Sequence, residues 1–154
     1  MQPGRWTELF FLDEATALAA GHRPCAYCQR ARYEEFRSLW VHAHPELANG
    51  PRPGSDEIDA RLHTERLDAR RQRITYPEIL ERLPDGAFVV HDNRACLVRA
   101  LSLFPWHAEG YGEGTALPPE STVHVLAPRS TVKTIAAGFK VQIDGSAGPL
   151  RPRS

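Results

Sequence analysis

The sequence predicts an α+β fold, with a helical first half carrying a Cys-x-x-Cys turn and then a small, mostly antiparallel sheet or partial barrel. Three observations predict it. Apolar residues recur at helical spacing before Leu83, as in Tyr33, Phe36, Trp40 and Ala43. From Pro84 the texture changes to short β-branched runs such as Ala87-Phe-Val-Val-His91. Glycine, proline and Asp-Asn pairs punctuate the boundaries between them. On this reading residues 1–83 form a helical part and residues 84–148 a β-rich part packed on it, with one domain overall expected from the length of 154 residues, and a frayed tail at 149–154.

Taken in order, Glu8 to Leu12 is a short apolar run expected as a buried strand. Asp13 then offers an N-cap for a helix over Glu14 to Ala20, which Gly21 ends. The loop His22-Arg23-Pro24 leads to Cys25, and Cys28 opens a second helix running to His44, stopped by Pro45. Asn49-Gly-Pro-Arg-Pro-Gly54 is the clearest break. A third helix follows with Ser55 as N-cap, acidic residues Asp56, Glu57 and Asp59 near its start and Arg70, Arg71 and Arg73 at its far end, an order that complements the helix dipole. Pro77 would sit at the first position of a fourth short helix over Tyr76 to Leu83.

In the second half, Ala87–His91 and Ala95–Val98 flank Asp92-Asn93-Arg94 as a hairpin. Leu101 to Trp106 reads as a strand broken at Pro105, Gly110 to Gly114 as a flexible turn, and Thr122 to Leu126 as another strand. Ser130 is expected to cap a helix over Thr131 to Ala137, closed by Gly138, before a final strand at Phe139 to Ile143.

Composition narrows the function classes. The formal charge is zero, with 12 basic and 13 acidic residues up to Leu83 and 7 against 6 after it. Neither half carries the excess of cations that marks a nucleic-acid footprint over a whole domain. Lys133 and Lys140 are the only lysines among 19 cations; the rest are arginine. No apolar run approaches the roughly 20 residues that a membrane span requires. There is no basic-then-apolar leader. Three cysteines, Cys25, Cys28 and Cys96, make no disulfide framework. A cytoplasmic protein without a membrane partner is the expectation, and no repeat sets an oligomeric state.

The chemically specific feature is Cys25-Ala-Tyr-Cys28. Such a pair at a helix start either lowers a thiol pKa for redox work or bites one metal ion with two thiolates. Around it, Phe10-Phe11-Leu12-Asp13-Glu14-Ala15 and Ala20-Gly21-His22-Arg23-Pro24-Cys25-Ala26-Tyr27-Cys28 resemble the second half of the zinc-binding module of the Ada DNA-repair methyltransferase, and of related modules attached to some bacterial nucleases. The chain also looks like members of a bacterial family carrying such an extension. The resemblance implies zinc held by Cys25 and Cys28, with nucleic acid as the partner. It departs from the family upstream, where the module places its first two ligands: only seven residues precede Glu8, and none is Cys or His. In Ada the methyl-accepting cysteine belongs to that upstream half, so methyl acceptance is not expected. Further ligands would come from His22, His63, His42, His44 or Cys96.

Other chemistry is thinner. On the third helix Asp59 and His63 are four apart and share a face, and Glu65 lies close by; the trio is a candidate catalytic group for a metal-assisted hydrolase or nuclease. The plain alternative is a solvated face laced with ion pairs. His91 and His124 read as surface histidines on strands, Cys96 as a buried thiol, and Trp106 with Tyr111 as a possible wall for a flat ligand. No phosphate-binding glycine loop, nucleophile elbow or His-Glu-x-x-His pattern occurs. The function expected is therefore a zinc-associated, structural or nucleic-acid-related binding module, with the hydrolase and a thiol redox protein using Cys25 and Cys28 as alternatives.

Overall fold

The computed structural model describes residues 11–48 and 50–148. The fold is α+β, with four helices and an open antiparallel sheet. Helix α1 spans Glu14–Ala19, α2 Arg30–Ala43 and α3 Ser55–Arg66. Strands β1 (Tyr76–Ile79), β2 (Phe88–His91), β3 (Arg94–Arg99), β4 (Ser102–His107), β5 (Gly110–Tyr111), β6 (Thr115–Ala116) and β7 (Thr122–Val125) follow, then α4 (Arg129–Ala136). The sheet order is β1-β7-β2-β3-β4-β5, with β6 also paired to β4.

Strand alternation sorts the sheet into two apolar faces. Phe88, Leu97 and Phe104 lie opposite one another across β2, β3 and β4. They pack with Tyr111 and with Ala15 and Ala19 of α1. Val89, Cys96, Val98, Leu103, Val123 and Val125 line the other face, with Leu80 and Val132. A third cluster joins Leu18, Phe36, Trp40, Ile58, Leu62, Ile135 and Phe139. Helix α4 thus gives Val132 to the sheet and Ile135 to the helices, which ties the two halves together. Phe36 and Trp40 are fully buried, so truncating either costs about 3–5 kcal/mol.

Helix α1 begins as expected. Asp13 caps it, Oδ1 accepting from the Thr16 N–H at 2.9 Å, and the Thr16 hydroxyl accepts in return from the Asp13 N–H at 3.1 Å. The other Asp13 oxygen accepts from the Tyr111 hydroxyl at 2.8 Å and the Asp144 N–H at 2.9 Å.

Several elements differ from the sequence expectation. Helix α3 has Gly54, not Ser55, as its N-cap and stops at Arg66. Beyond it the Asp68 carboxylate accepts from the N–H groups of Arg70 at 2.8 Å and Gln72 at 2.9 Å, so this side chain supplies the turn that ends the helix. Tyr76–Ile79 is a strand rather than a helix, followed by one 3-10 turn at Leu80–Arg82. It is an edge strand paired only with β7, where a proline's missing N–H is tolerated. Pro105 does not break β4; it lies opposite Cys96, and its carbonyl accepts from the Gly112 N–H at 2.8 Å. Gly110-Tyr111 is likewise a paired strand, not a flexible turn. Phe139 to Ile143 forms no strand. Its backbone is held by side chains instead: Arg32 donates to the Lys140 carbonyl at 2.7 Å, and Glu14 accepts from the Gln142 N–H at 3.0 Å. The expected strand at Glu8–Leu12 lies mostly outside the described residues, as does the 149–154 tail; Phe11 and Leu12 are not in a strand.

Two tight hairpins set the sheet register. Asp92-Asn93 joins β2 to β3 with φ of 50° and 60°, and Ala100-Leu101 joins β3 to β4 with φ of 49° and 59°. Left-handed values at both turn positions give the twist that two-residue hairpins require. Asp and Asn tolerate that region, whereas Ala and Leu each lose about 1 kcal/mol there. Replacing Ala100-Leu101 with Asn-Gly is expected to stabilise the protein by about 1 kcal/mol, read as a higher urea midpoint at unchanged m-value. By contrast Asp13→Ala removes a cap and strands the Tyr111 hydroxyl, and a loss of about 2 kcal/mol or more is expected in the same measurement.

Candidate thiol site at an arginine-lined cleft

The thiol turn is built on the C-terminal end of α1. Ala19 and Ala20 present carbonyls with no helical partner beyond them. Arg73 donates to the Ala19 carbonyl at 3.0 Å, and Arg66 donates to the Ala20 carbonyl. Both guanidiniums also meet the negative end of the helix dipole. Gly21 adopts φ +91°, and a Cβ placed there would lie 2.9 Å from Cδ of Arg66. Glycine at this position therefore serves both the chain reversal and the close approach of Arg66.

Beyond Pro24 the chain enters a helical turn that leads into α2. The Gln29 N–H donates to the Cys25 carbonyl at 3.1 Å, and the Tyr33 N–H to the Gln29 carbonyl at 2.8 Å. The Cys25 sulfur lies where a capping oxygen normally sits, accepting from the Cys28 N–H at 3.4 Å. That backbone donor pulls the Cys25 thiol down to about 7, helped by the Cys28 thiol, the Tyr27 N–H and the charge of Arg23. Cys28 moves the other way, raised chiefly by its hydrogen bond to Cys25. Cys25 is half-buried, Cys28 is exposed, and Tyr27 between them is 94% exposed.

Cys25 opens on a cleft of about 690 Å³ between the turn, α2 and the start of α3. His22, Arg23, Arg30, Tyr33, Arg37, Asp59, His63 and Arg66 are among its walls. The buried Tyr33 ring organises three of the cations: the guanidinium carbons of Arg37, Arg23 and Arg30 lie 5.2, 5.3 and 5.9 Å from its centroid. Two carboxylates answer them. Asp59 pairs with Arg23 at 3.1 Å, and Glu34 pairs with Arg30 at 2.8 Å and with Arg37. Arg66 adds a further cation, which donates to the Ala20 carbonyl. The cleft is therefore locally basic on a chain that is neutral overall.

Of the residues singled out in the sequence, Cys25, His22, Asp59 and His63 meet at this cleft, with Cys28 on the same turn. His22 stacks obliquely on Phe11 at 5.1 Å, and its pKa is lowered by partial burial and the neighbouring Arg66 charge. His63 is exposed. Asp59 is engaged by Arg23, and Glu65 turns away to accept from the N–H (2.9 Å) and hydroxyl (2.6 Å) of Ser130 at the start of α4. Asp59 and Glu65 of α3 are thus engaged by different partners, on Arg23 and on Ser130. His42 is exposed, whereas His44 is buried with Nδ1 2.9 Å from the Trp40 carbonyl. Cys96 is buried in the sheet, and burial raises its pKa. Trp106 and Tyr111 pair across β4 and β5, but Tyr111 is core, so they form no open wall for a flat ligand.

Among the described residues, no group of three or more His, Cys, Asp or Glu side chains is placed to hold a metal ion. Cys25 and Cys28 supply two sulfur donors, half of a tetrahedral zinc set. No described helix is long and apolar enough to cross a membrane.

The sulfur positions predict unequal reactivity. Alkylation of Cys25, followed by mass spectrometry across a pH series, should rise with a midpoint near 7, and Cys28 should lag it at every pH below that of an ordinary thiol. Equal rates at the two cysteines would contradict the turn geometry. Comparison with family models, with curated proteins and with solved structures finds no match to this chain.

Proposed function

We propose that this protein is a thiol redox protein in which Cys25 is the attacking thiolate and Cys28 the resolving thiol. The observation that carries the reading is the turn itself: the Cys25 sulfur is capped by the N–H of its partner, and that partner is exposed one turn away. An attacking thiol with a pKa near ambient pH combines thiolate population with nucleophilicity. Cys28, held as the neutral thiol, supplies the second nucleophile only after the first bond has formed.

The step balances as follows. The Cys25 thiolate attacks one sulfur of a disulfide, the S–S bond breaks, and the first thiolate leaves. Cys28 then loses its proton and attacks the Cys25 sulfur of the mixed disulfide, releasing the second thiolate. The substrate disulfide gains two electrons and becomes two thiols; Cys25 and Cys28 lose them and become a disulfide. A dithiol reductant returns the pair to its starting state.

The zinc reading implied by the resemblance draws on the same two sulfurs, which are neighbours on one turn closed by the Cys28 N–H and the Cys25 sulfur. Zinc would then serve as a structural clasp, and its remaining ligands would come from outside the described residues or from a second copy. Nucleic acid would be its partner, with the cleft cations as a local basic surface to meet a phosphate backbone.

Uncharged hydroxyethyl disulfide separates the two. The reduced protein is expected to consume it stoichiometrically, with oxidation of Cys25 and Cys28 read by mass spectrometry. Cys25→Ser should abolish the reaction, and Cys28→Ser should stall it as a mixed disulfide on Cys25. A protein that isolates with one zinc per chain and leaves the disulfide untouched supports the clasp and sinks the redox reading.

A further inference from the structure

We infer that the cleft beside Cys25 is an oxyanion-binding subsite, which selects small substrates carrying a carboxylate or phosphate next to the sulfur to be attacked. This rests on the thiol reading above and names its substrate class. Three observations carry it.

First, cations outnumber carboxylates around the cleft. Arg23, Arg30, Arg37 and Arg66 line it, and Arg52 lies 3.5 Å from Glu34, the partner of Arg30 and Arg37. Asp59 pairs with Arg23, and Glu34 is divided among Arg30, Arg37 and Arg52. The surplus of cations leaves a positive local potential in the cleft, which attracts small anions.

Second, the guanidiniums are held rather than solvated at random. Arg37 is 12% exposed and Arg23 17% at the side chain. Both also lie within 5.3 Å of the Tyr33 ring centroid and are tied by ion pairs to Asp59 and Glu34, and a held guanidinium suits the two oxygens of a carboxylate or phosphate. Arg23 is only partly satisfied: its Nη atoms donate to the Pro24 carbonyl and to Asp59, each at 3.1 Å, while its buried Nε has no acceptor among the described residues.

Third, the size and the thiol agree. About 690 Å³ suits a small molecule. A folded protein would meet the exposed Cys28 and Tyr27 first, whereas a small anion can enter the cleft that Cys25 lines. The inferred substrate is thus a small disulfide with anionic flanks.

Alkylation tests the subsite without requiring disulfide exchange. Iodoacetate is anionic and iodoacetamide neutral, and both displace iodide with the same thiolate, so their rate ratio at Cys25 cancels the thiol pKa. Relative to the same chain unfolded in urea, the folded protein should favour iodoacetate by about tenfold at low salt. One-molar salt, which shortens the screening length to about 3 Å, should remove the preference, and the solvent-exposed change Arg30→Gln should lower it several-fold. A ratio equal to that of the unfolded chain overturns the subsite, even if Cys25 and Cys28 reduce hydroxyethyl disulfide. A raised ratio upholds the subsite, even if disulfide exchange fails. Where the ratio is raised, competition at matched ionic strength identifies the oxyanion: stronger slowing by inorganic phosphate assigns phosphate, and stronger slowing by glutarate assigns carboxylate.

Discussion

A helix of six residues, Glu14–Ala19, is too short to persist by its own hydrogen bonds, and the thiol turn stands directly on its end. Its stability is imported at both termini. At the start, Asp13 and Glu14 accept from Tyr111, Gln142 and Asp144, residues drawn from the last third of the chain. At the end, Arg66 and Arg73 close the free carbonyls from the far side of α3. Between these anchors Ala15, Leu18 and Ala19 are buried against the sheet and the helical core. The position of Cys25 is thus a property of the whole fold rather than of the segment that carries it.

That dependence explains which features were legible in the sequence. The Asp13 cap, the stripe of α2, the hairpin at Asp92-Asn93 and strand β7 follow from local patterns, because the interactions that form them lie within a few residues, whereas the serines expected to cap α3 and α4 give way to Gly54 and Pro128. The thiol pair was legible for the same reason. The cleft was not: Arg23, Arg30, Arg37 and Arg66 arise from separate turns and helices, and the pairs of Arg30 and Arg37 with Glu34 sit at spacings of four and three, which read as ordinary surface ion pairs on a helix. Tyr33 was correctly placed in the buried stripe, but periodicity cannot report that three guanidiniums crowd its ring.

The misread elements share a cause. Tyr76–Ile79 and Phe139–Ile143 are both short, with few residues to express a period, so their states were settled by what lies beside them. The first found an edge on β7 that a proline can occupy. The second runs beside α1 and α2, where Glu14 and Arg32 bind its backbone and Phe139 inserts edge-on against Phe36 at 5.4 Å. The α3 arginines were misassigned because the Asp68 side chain competes with the helix for backbone donors, a contest that charge order along the sequence does not register.

Tyr27 touches solvent over nearly its whole surface, and the turn that displays it is secured from behind by α1 and α2. The Tyr27 side chain therefore adds no packing to the core. Mutational drift there would be filtered by chemistry rather than by foldability, which leaves the two-residue spacer as an adjustable dial on an otherwise rigid instrument.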